Sequence, residues 1–177
     1  MYKILLSLFS FIILNSICVK PQIHNNDNFK KEKYEVINLV IERISNHKDN
    51  YPLFLYSKLG GINFSNNLSC RDENKISKFV NDSLHLKTKP NEFRYINNVE
   101  NINPKFLNSK YKVKIIEKND SSNKDFVHIS NPKFFNHNKN CFISYEYGDY
   151  EFGNLILSKE NEKWIVRFVI CESSISY

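Results

Sequence analysis

Residues 143–170 read ISYEYGDYEFGNLILSKENEKWIVRFVI, in three runs of largely apolar and aromatic residues separated by two short polar clusters. Alternation of apolar and polar residues is typical of β-strands, and short clusters of turn-forming residues between such runs indicate hairpins. With Gly148-Asp149 and Asn161-Glu162 as two-residue loops, the stretch predicts three antiparallel strands.

These loops also predict which residues face each other. Tyr145 is then opposite Phe152 and Glu146 is opposite Glu151, while in the second hairpin Glu151 is opposite Glu172. One face of the sheet would carry an apolar block that helices can cover. Its predicted members are Phe142, Leu155, Leu157, Val166, Phe168 and Ile170.

The same pairing predicts an acidic row of Glu146, Glu151 and Glu172, with Asp149 at the turn. Like charges in directly opposed positions destabilise a sheet, so the row is a candidate site. It would bind a hard cation such as Ca²⁺, or two of its carboxyl groups would act as general acid and base. The structural alternative is a solvated end of the sheet, screened by water and lysines.

The other face carries an aromatic strip of Tyr145, Tyr147, Tyr150 and Phe152. Such a strip is a candidate binding surface because aromatic rings stack on sugars and peptides. The alternative is that the N-terminal half of the chain packs against it.

The rest of the chain predicts two helices followed by further strands. Apolar residues recur at helical spacing over Tyr34–His47 and Asp72–His85, and extended runs cover Tyr51–Ser57, Tyr111–Glu117 and Phe126–Ser130. We therefore predict one α+β domain over 34–177, in which an antiparallel sheet of about five strands packs against two N-terminal helices.

The first eighteen residues have the pattern of a signal peptide. Lys3 precedes an uncharged run that is too short for a membrane-spanning helix, which needs about 20 residues. Cleavage after Cys18 would release the protein, whereas a lipid on Cys18 would anchor it to a membrane. Residues 19–33 would form a tether, and we expect the protein to be exported.

Export makes disulfides relevant for Cys70, Cys141 and Cys171. The predicted registers separate the Cα atoms of Cys141 and Cys171 by about 16 Å, and a disulfide needs less than about 7 Å. Any bridge within the domain would therefore involve Cys70.

The net charge of +6 comes from lysines scattered along the chain. Nucleic-acid binding needs clustered basic residues, so we expect no nucleic-acid partner. The sequence contains no cofactor motif, and we expect no cofactor. A protein or a glycan remains as the partner.

Three segments carry a resemblance to a known group. ISNPKFF at 129–135, the Tyr147-Gly148 strand end and GNLILSKENEKW at 153–164 are similar to the C-terminal ending of small exported proteins of Bacteroidota, many of them lipoproteins. Glu162 departs from the pattern, because it stands where that ending has a turn glycine. The resemblance implies export and a hairpin fold, and it implies no activity.

The function expected from these observations is a non-catalytic binding or structural module of the cell envelope. The first alternative is a hydrolase-like enzyme or a cation-dependent binder that uses the acidic row. The second alternative is a small secreted effector or inhibitor.

Overall fold

The computed structural model describes residues 26–46, 52–60, 72–94, 99–117, 126–148 and 151–174, without the side chains of Asn26 and of 171–174. The chain divides into two compact units, 1–30 and 31–177. Of the first unit only the start of a helix at Asn26 is described, and the fold below is that of the second. The predicted signal peptide and Cys18 lie outside the described residues, as do Asp149 and Tyr150.

The described residues form two α-helices, two short 3-10 helices and nine strands. The helices are α1 (Asn26–Asn46) and α2 (Glu73–Leu84), with the 3-10 helices at Pro90–Phe93 and Pro104–Phe106. The strands are β1 (Leu53–Tyr56), β2 (Lys58–Leu59), β3 (Glu100–Asn101), β4 (Val113–Ile116), β5 (Phe126–Ile129), β6 (Lys133–Phe135), β7 (Asn140–Tyr147), β8 (Glu151–Glu160) and β9 (Lys163–Ser174). The predicted extended runs are confirmed as β1, β4 and β5, whereas the sequence did not predict β2, β3 and β6.

Helix α1 forms as its apolar spacing predicts. Its predicted stripe is buried, at 3% exposure or less for Tyr34, Ile37, Val40, Ile41 and Ile44. The helix begins at Asn26 rather than at Tyr34, so it extends into the segment that the sequence assigned to a tether. Neither this helix nor any other in the described residues is long and apolar enough to span a membrane.

Helix α2 is held at both ends by local chemistry. The carboxylate of Asp72 is the N-cap and accepts hydrogen bonds from the backbone N–H groups of Asn74 at 3.0 Å and Lys75 at 3.3 Å. The chain leaves the helix at His85, which has a left-handed φ of 53°. The predicted bounds Asp72–His85 are therefore confirmed as the two caps.

The main sheet is mixed, with the order β4-β1-β5-β7-β8-β9, and β6 pairs with β7 beside β5. Strand β1 is parallel to both β4 and β5, with Leu55 opposite Ile115 on one side and Val127 on the other. The prediction of a purely antiparallel sheet was therefore wrong. Parallel pairing requires a long crossover, and the chain between β1 and β4 contains α2 and both 3-10 helices.

The sheet is covered on both faces, whereas the sequence predicted helices on one face. One face packs against α1 and includes Cys141, Ile143, Tyr145, Leu155 and Leu157. The other packs against α2 and includes Phe142 and Ile156 together with Ile76, Val80 and Phe93. Phe142 and Leu155 therefore lie on opposite faces, and the predicted apolar block is not formed.

The cause is a one-residue difference in the β7–β8 register. Tyr145 pairs with Gly153 and Tyr147 with Glu151, so the loop is the three residues 148–150 rather than two. Because side chains alternate between faces, this shift transfers every β8 side chain to the face opposite the predicted one.

The β8–β9 hairpin is as predicted near its turn. Asn161 and Glu162 form the loop with positive φ values of 48° and 63°, and Leu157 pairs with Val166. Farther along, two register shifts place Val169 opposite Leu155, where Phe168 was predicted. The shifts also place Glu172 opposite Gly153 rather than opposite Glu151.

Candidate functional site

The predicted acidic row is not assembled. Glu146 pairs with Phe152 and Glu151 pairs with Tyr147, so the two carboxylates project from opposite faces of the sheet. Asp149 and the side chain of Glu172 lie outside the described residues. Among the residues that are described, no group of three His, Cys, Asp or Glu side chains is placed to hold a metal ion.

Glu151 instead accepts a hydrogen bond from a tyrosine of the hydrophobic core. The hydroxyl of Tyr145, a fully buried residue, donates a hydrogen bond to Oε1 of Glu151 at 2.8 Å. The tyrosine ring lies against the backbone of Gly153 on the neighbouring strand. This carboxylate therefore satisfies a buried hydroxyl group.

The described residues of the predicted aromatic strip do not share one face of the sheet. Tyr145 and Tyr147 are buried at 0% and 4% exposure in the cluster formed with α1. Phe152 is half-buried and pairs with Glu146, which places it on the other face. The N-terminal half thus covers the two described tyrosines, as the packing alternative expected.

Among the described residues Cys141 is a free thiol, fully buried between β6 and β8. Burial raises the pKa of this thiol well above its usual value, with a hydrogen bond from the Lys133 backbone acting in the opposite direction. Cys70 and the side chain of Cys171 lie outside the described residues.

A concave site is present elsewhere, along the exposed side of α1. We call it the α1 groove, an open depression of about 400 Å³. Helix α1 contributes Glu35, Asn38, Leu39 and Glu42 to its wall. The opposite wall consists of Asn108 and Tyr111, in the segment before β4, and of the β8–β9 turn from Glu162 to Trp164.

The segment before β4 is attached to α1 through two side chains. Asn38 donates through Nδ2 to the carbonyl of Phe106 at 3.0 Å and accepts at Oδ1 from the N–H of Asn108 at 2.9 Å. The Tyr34 hydroxyl accepts from the N–H of Asn103 at 2.6 Å, and its ring stacks on Phe106. This wall of the groove is therefore held in place by hydrogen bonds to the helix.

The β8–β9 turn is attached to the same helix by a lysine. The Lys159 ammonium lies 2.7 Å from a Glu32 carboxylate oxygen and 3.0 Å from one of Glu162. These carboxylates raise the Lys159 pKa, chiefly through the hydrogen bond that the ammonium group donates to Glu32. Trp164, at 5% exposure, packs edge-on against Phe134 with ring centroids 5.5 Å apart, which places its indole at the base of the turn.

The charge in the groove is opposite to that of the whole chain. Its lining has the three carboxylates of Glu35, Glu42 and Glu162 and one ammonium group, that of Lys163, in a chain of net charge +6. Glu42 also hydrogen-bonds the Tyr111 hydroxyl, and partial desolvation together with this carboxylate raises the Tyr111 pKa. The lining of the groove thus combines three carboxylates with the apolar side chains of Leu39 and Trp164.

Lys133 Nζ and Trp164 Nε1 are buried donors that lack a hydrogen-bond partner among the described residues. Burial lowers the pKa of Lys133, and the nearby Glu73 carboxylate opposes the shift. Lys133 lies on the α2 side of the sheet, because it pairs with Phe142. Trp164 is one of the residues that line the groove, and its indole nitrogen is itself buried.

Sequence reasoning missed the groove, although α1 carried a signal for it. Glu35, Asn38, Leu39 and Glu42 recur at helical spacing on the side away from the buried stripe. Their partners at 108–111 and 162–164 are distant in sequence, so the pattern alone does not reveal a concavity.

Comparisons of the chain with protein-family models, with curated proteins and with solved structures found no match. The site is therefore assigned from its own geometry and charge.

Proposed function

We propose that this protein is an exported, non-catalytic binding module of the cell envelope and that the α1 groove is its binding site. The observation that carries the proposal is the groove itself. It is about 400 Å³ in volume, within the range of roughly 300–1,000 Å³ typical of small-ligand sites. Its lining places the side chains of Leu39, Tyr111 and Trp164 beside polar and charged groups, the kinds of group that hold and orient a ligand.

The walls support binding because they are already in place. Asn38 joins α1 to the segment before β4, and Lys159 joins α1 to the β8–β9 turn. A site whose walls are connected in the free protein needs little ordering when a ligand enters, and this lowers the entropic cost of binding.

The catalytic alternative receives less support. A general acid and base must reach the same substrate, and the sheet directs Glu146 and Glu151 to opposite faces. The cation-dependent alternative meets the same difficulty, since a hard cation requires several oxygen ligands around one point.

Binding is testable because the chain contains a single tryptophan and this residue lines the groove. We expect the fluorescence of Trp164 to change when a ligand enters. The full chain would be titrated with a cationic peptide, an acidic peptide and a neutral oligosaccharide, and calorimetry would measure the same titrations.

A groove-filling variant and a matched control complete the experiment. Glu35→Phe places a bulky ring in the groove, whereas Glu117→Phe makes the same change at an exposed position outside it. Binding that is lost in the first variant and retained in the second supports the proposal. If none of the three probes binds, or if both variants bind equally well, the groove is not the site.

Export requires a separate measurement. Cell fractionation of the full-length chain should place it outside the cytoplasm, and removal of residues 1–18 should retain it inside. Detergent phase partitioning of wild type and Cys18→Ser then distinguishes a lipid anchor from cleavage. If Cys18 is acylated, the wild type enters the detergent phase and the variant stays in the aqueous phase, whereas a cleaved protein stays in the aqueous phase in both cases. Equal cytoplasmic retention of both chains would contradict export.

A further inference from the structure

We propose that Arg167 and two β-bulges prevent β9 from pairing with a strand of a second copy of the chain. The inference does not depend on the α1 groove. Strand β9 (Lys163–Ser174) is the last strand of the main sheet, and no strand among the described residues pairs with its outer side. An edge strand of this kind presents unpaired N–H and C=O groups, to which another extended chain can add.

The length and composition of β9 favour such an addition. The strand has 12 residues, or about 40 Å at 3.3 Å per residue, whereas an ordinary strand has about 5–6 residues. Between Ile165 and Ile170 every residue except Arg167 is apolar, and these apolar side chains are half-buried or, for Val169, 37% exposed. A long apolar edge causes self-association unless the chain protects it.

Two β-bulges interrupt the strand over this apolar stretch. The register shifts in the β8–β9 pairing leave Arg167 and Ile170 without a counterpart in β8. At the first shift, Val166 and Phe168 pair with two consecutive residues of β8. An extra residue bends the bulged strand and increases its twist, so a second strand would find no regular ladder along the middle of β9.

The first bulge also has a role in packing. Val166 packs against the cluster on the α1 side, whereas Phe168 and Ile170 pack against the cluster on the α2 side. In a regular strand Val166 and Phe168 would share one face. Packing therefore explains why an extra residue is present, but it does not explain why that residue is charged.

The charge of Arg167 is explained by protection of the edge. Its side chain is 48% exposed and forms an ion pair with Glu160 of β8, a contact that adds little to stability at this exposure. A strand added to β9 would remove this pair from water. The desolvation cost of an ion pair often exceeds the attraction between its charges, so addition is opposed where the edge is most apolar.

The other edge of the main sheet is protected by different features. Strand β4 (Val113–Ile116) has only four residues, and the side chains of Lys112 and Lys114 are exposed beside and within it. Short edge strands, lysines, other charges and bulges are the features by which natural sheets avoid pairing at their edges. Both edges of this sheet have them, and we infer that neither edge is a binding surface.

The test compares the full-length wild type with Arg167→Leu by sedimentation velocity over a range of protein concentrations. Lys78→Leu is the matched control, because it makes the same loss of charge at an exposed position of α2. We expect Arg167→Leu to self-associate with a constant at least about tenfold above that of the wild type, a factor that corresponds to about 1.4 kcal/mol. Hydrogen exchange of the β9 amide groups should be slower in the associated variant.

Three further variants separate the charge from the shape of the side chain. Arg167→Lys keeps the charge and should stay monomeric, whereas Arg167→Thr removes the charge without adding an apolar group and should associate. Val169→Lys in the Arg167→Leu background returns a charge to the exposed edge and should restore the monomer. The inference is wrong if Arg167→Leu and Arg167→Thr remain monomeric, if Lys78→Leu associates equally, or if the wild type already pairs through β9.

Discussion

Gly153 is the position at which a single methyl group should disturb the core most directly. A Cβ atom built on Gly153 would lie 2.5 Å from Cε1, 2.8 Å from Cζ and 2.9 Å from the hydroxyl oxygen of Tyr145. Carbon atoms pack at about 3.5–4.0 Å, so Gly153→Ala forces the ring to move. The ring is fully buried and its hydroxyl is bonded to Glu151, which leaves it little freedom.

The expected cost follows from these contacts. Overpacking a core costs about 1–3 kcal/mol, and losing the bond from Tyr145 to the Glu151 carboxylate adds about 1.5–3 kcal/mol. Replacing glycine lowers the entropy of the unfolded chain and returns about 0.4–1 kcal/mol. The net loss in unfolding free energy is therefore roughly 2–5 kcal/mol, or about 5–15 °C in melting temperature for a chain of this size.

A double-mutant cycle in chemical denaturation tests this explanation. Leucine has no counterpart of the three Tyr145 atoms that approach the new Cβ, so Tyr145→Leu removes the clash in advance. In that background Gly153→Ala should be neutral or slightly stabilising. An equal cost in both backgrounds, or no cost in the wild type, would refute the reasoning.

Three further predictions concern buried or capping groups. Burial lowers the Lys133 pKa below its usual value of 10.5. At any pH below this lowered pKa the native protein holds a charged ammonium group in a buried place, which reduces the unfolding free energy. This loss of stability disappears as the pH rises towards 10.5. Lys133→Met should therefore raise unfolding free energy by about 1–3 kcal/mol at pH 7 and by less near pH 10, measured by denaturant titration; a pH-independent gain would contradict it. Cys141 should resist alkylation at pH 8 until the protein unfolds, as followed by peptide mass mapping; rapid labelling in the native protein would contradict its burial. Asp72→Ala removes the N-cap of α2 and should cost about 1 kcal/mol, whereas Asp72→Asn should cost much less; equal losses in the two variants would reject the cap.

The sequence alone determined the local elements, because their causes lie within a few residues. The spacing of Tyr34, Ile37 and Ile41 was enough for the core of α1, and Asp72 marked the start of α2. The Asn161-Glu162 turn was also correct, because a short polar cluster between two apolar runs marks the loop of a hairpin.

Only the tertiary structure decided the β7–β8 register. The sequence pattern was satisfied by a two-residue loop, and the chain uses three residues between Tyr147 and Glu151. Register is readable from a sequence when one face is apolar and the other polar. Here both faces of β7 and β8 are covered, by α1 and by α2, so apolar residues on either face fit and the pattern does not discriminate.

The parallel pairing of β1 and the α1 groove were also decided by the tertiary structure alone. Both depend on contacts between distant segments, with Leu55 beside Ile115 and with α1 beside the turn at Glu162. Local periodicity contains no information about which surfaces meet. The folded chain alone brings the acidic side of α1, the loop at Tyr111 and the indole of Trp164 around one depression.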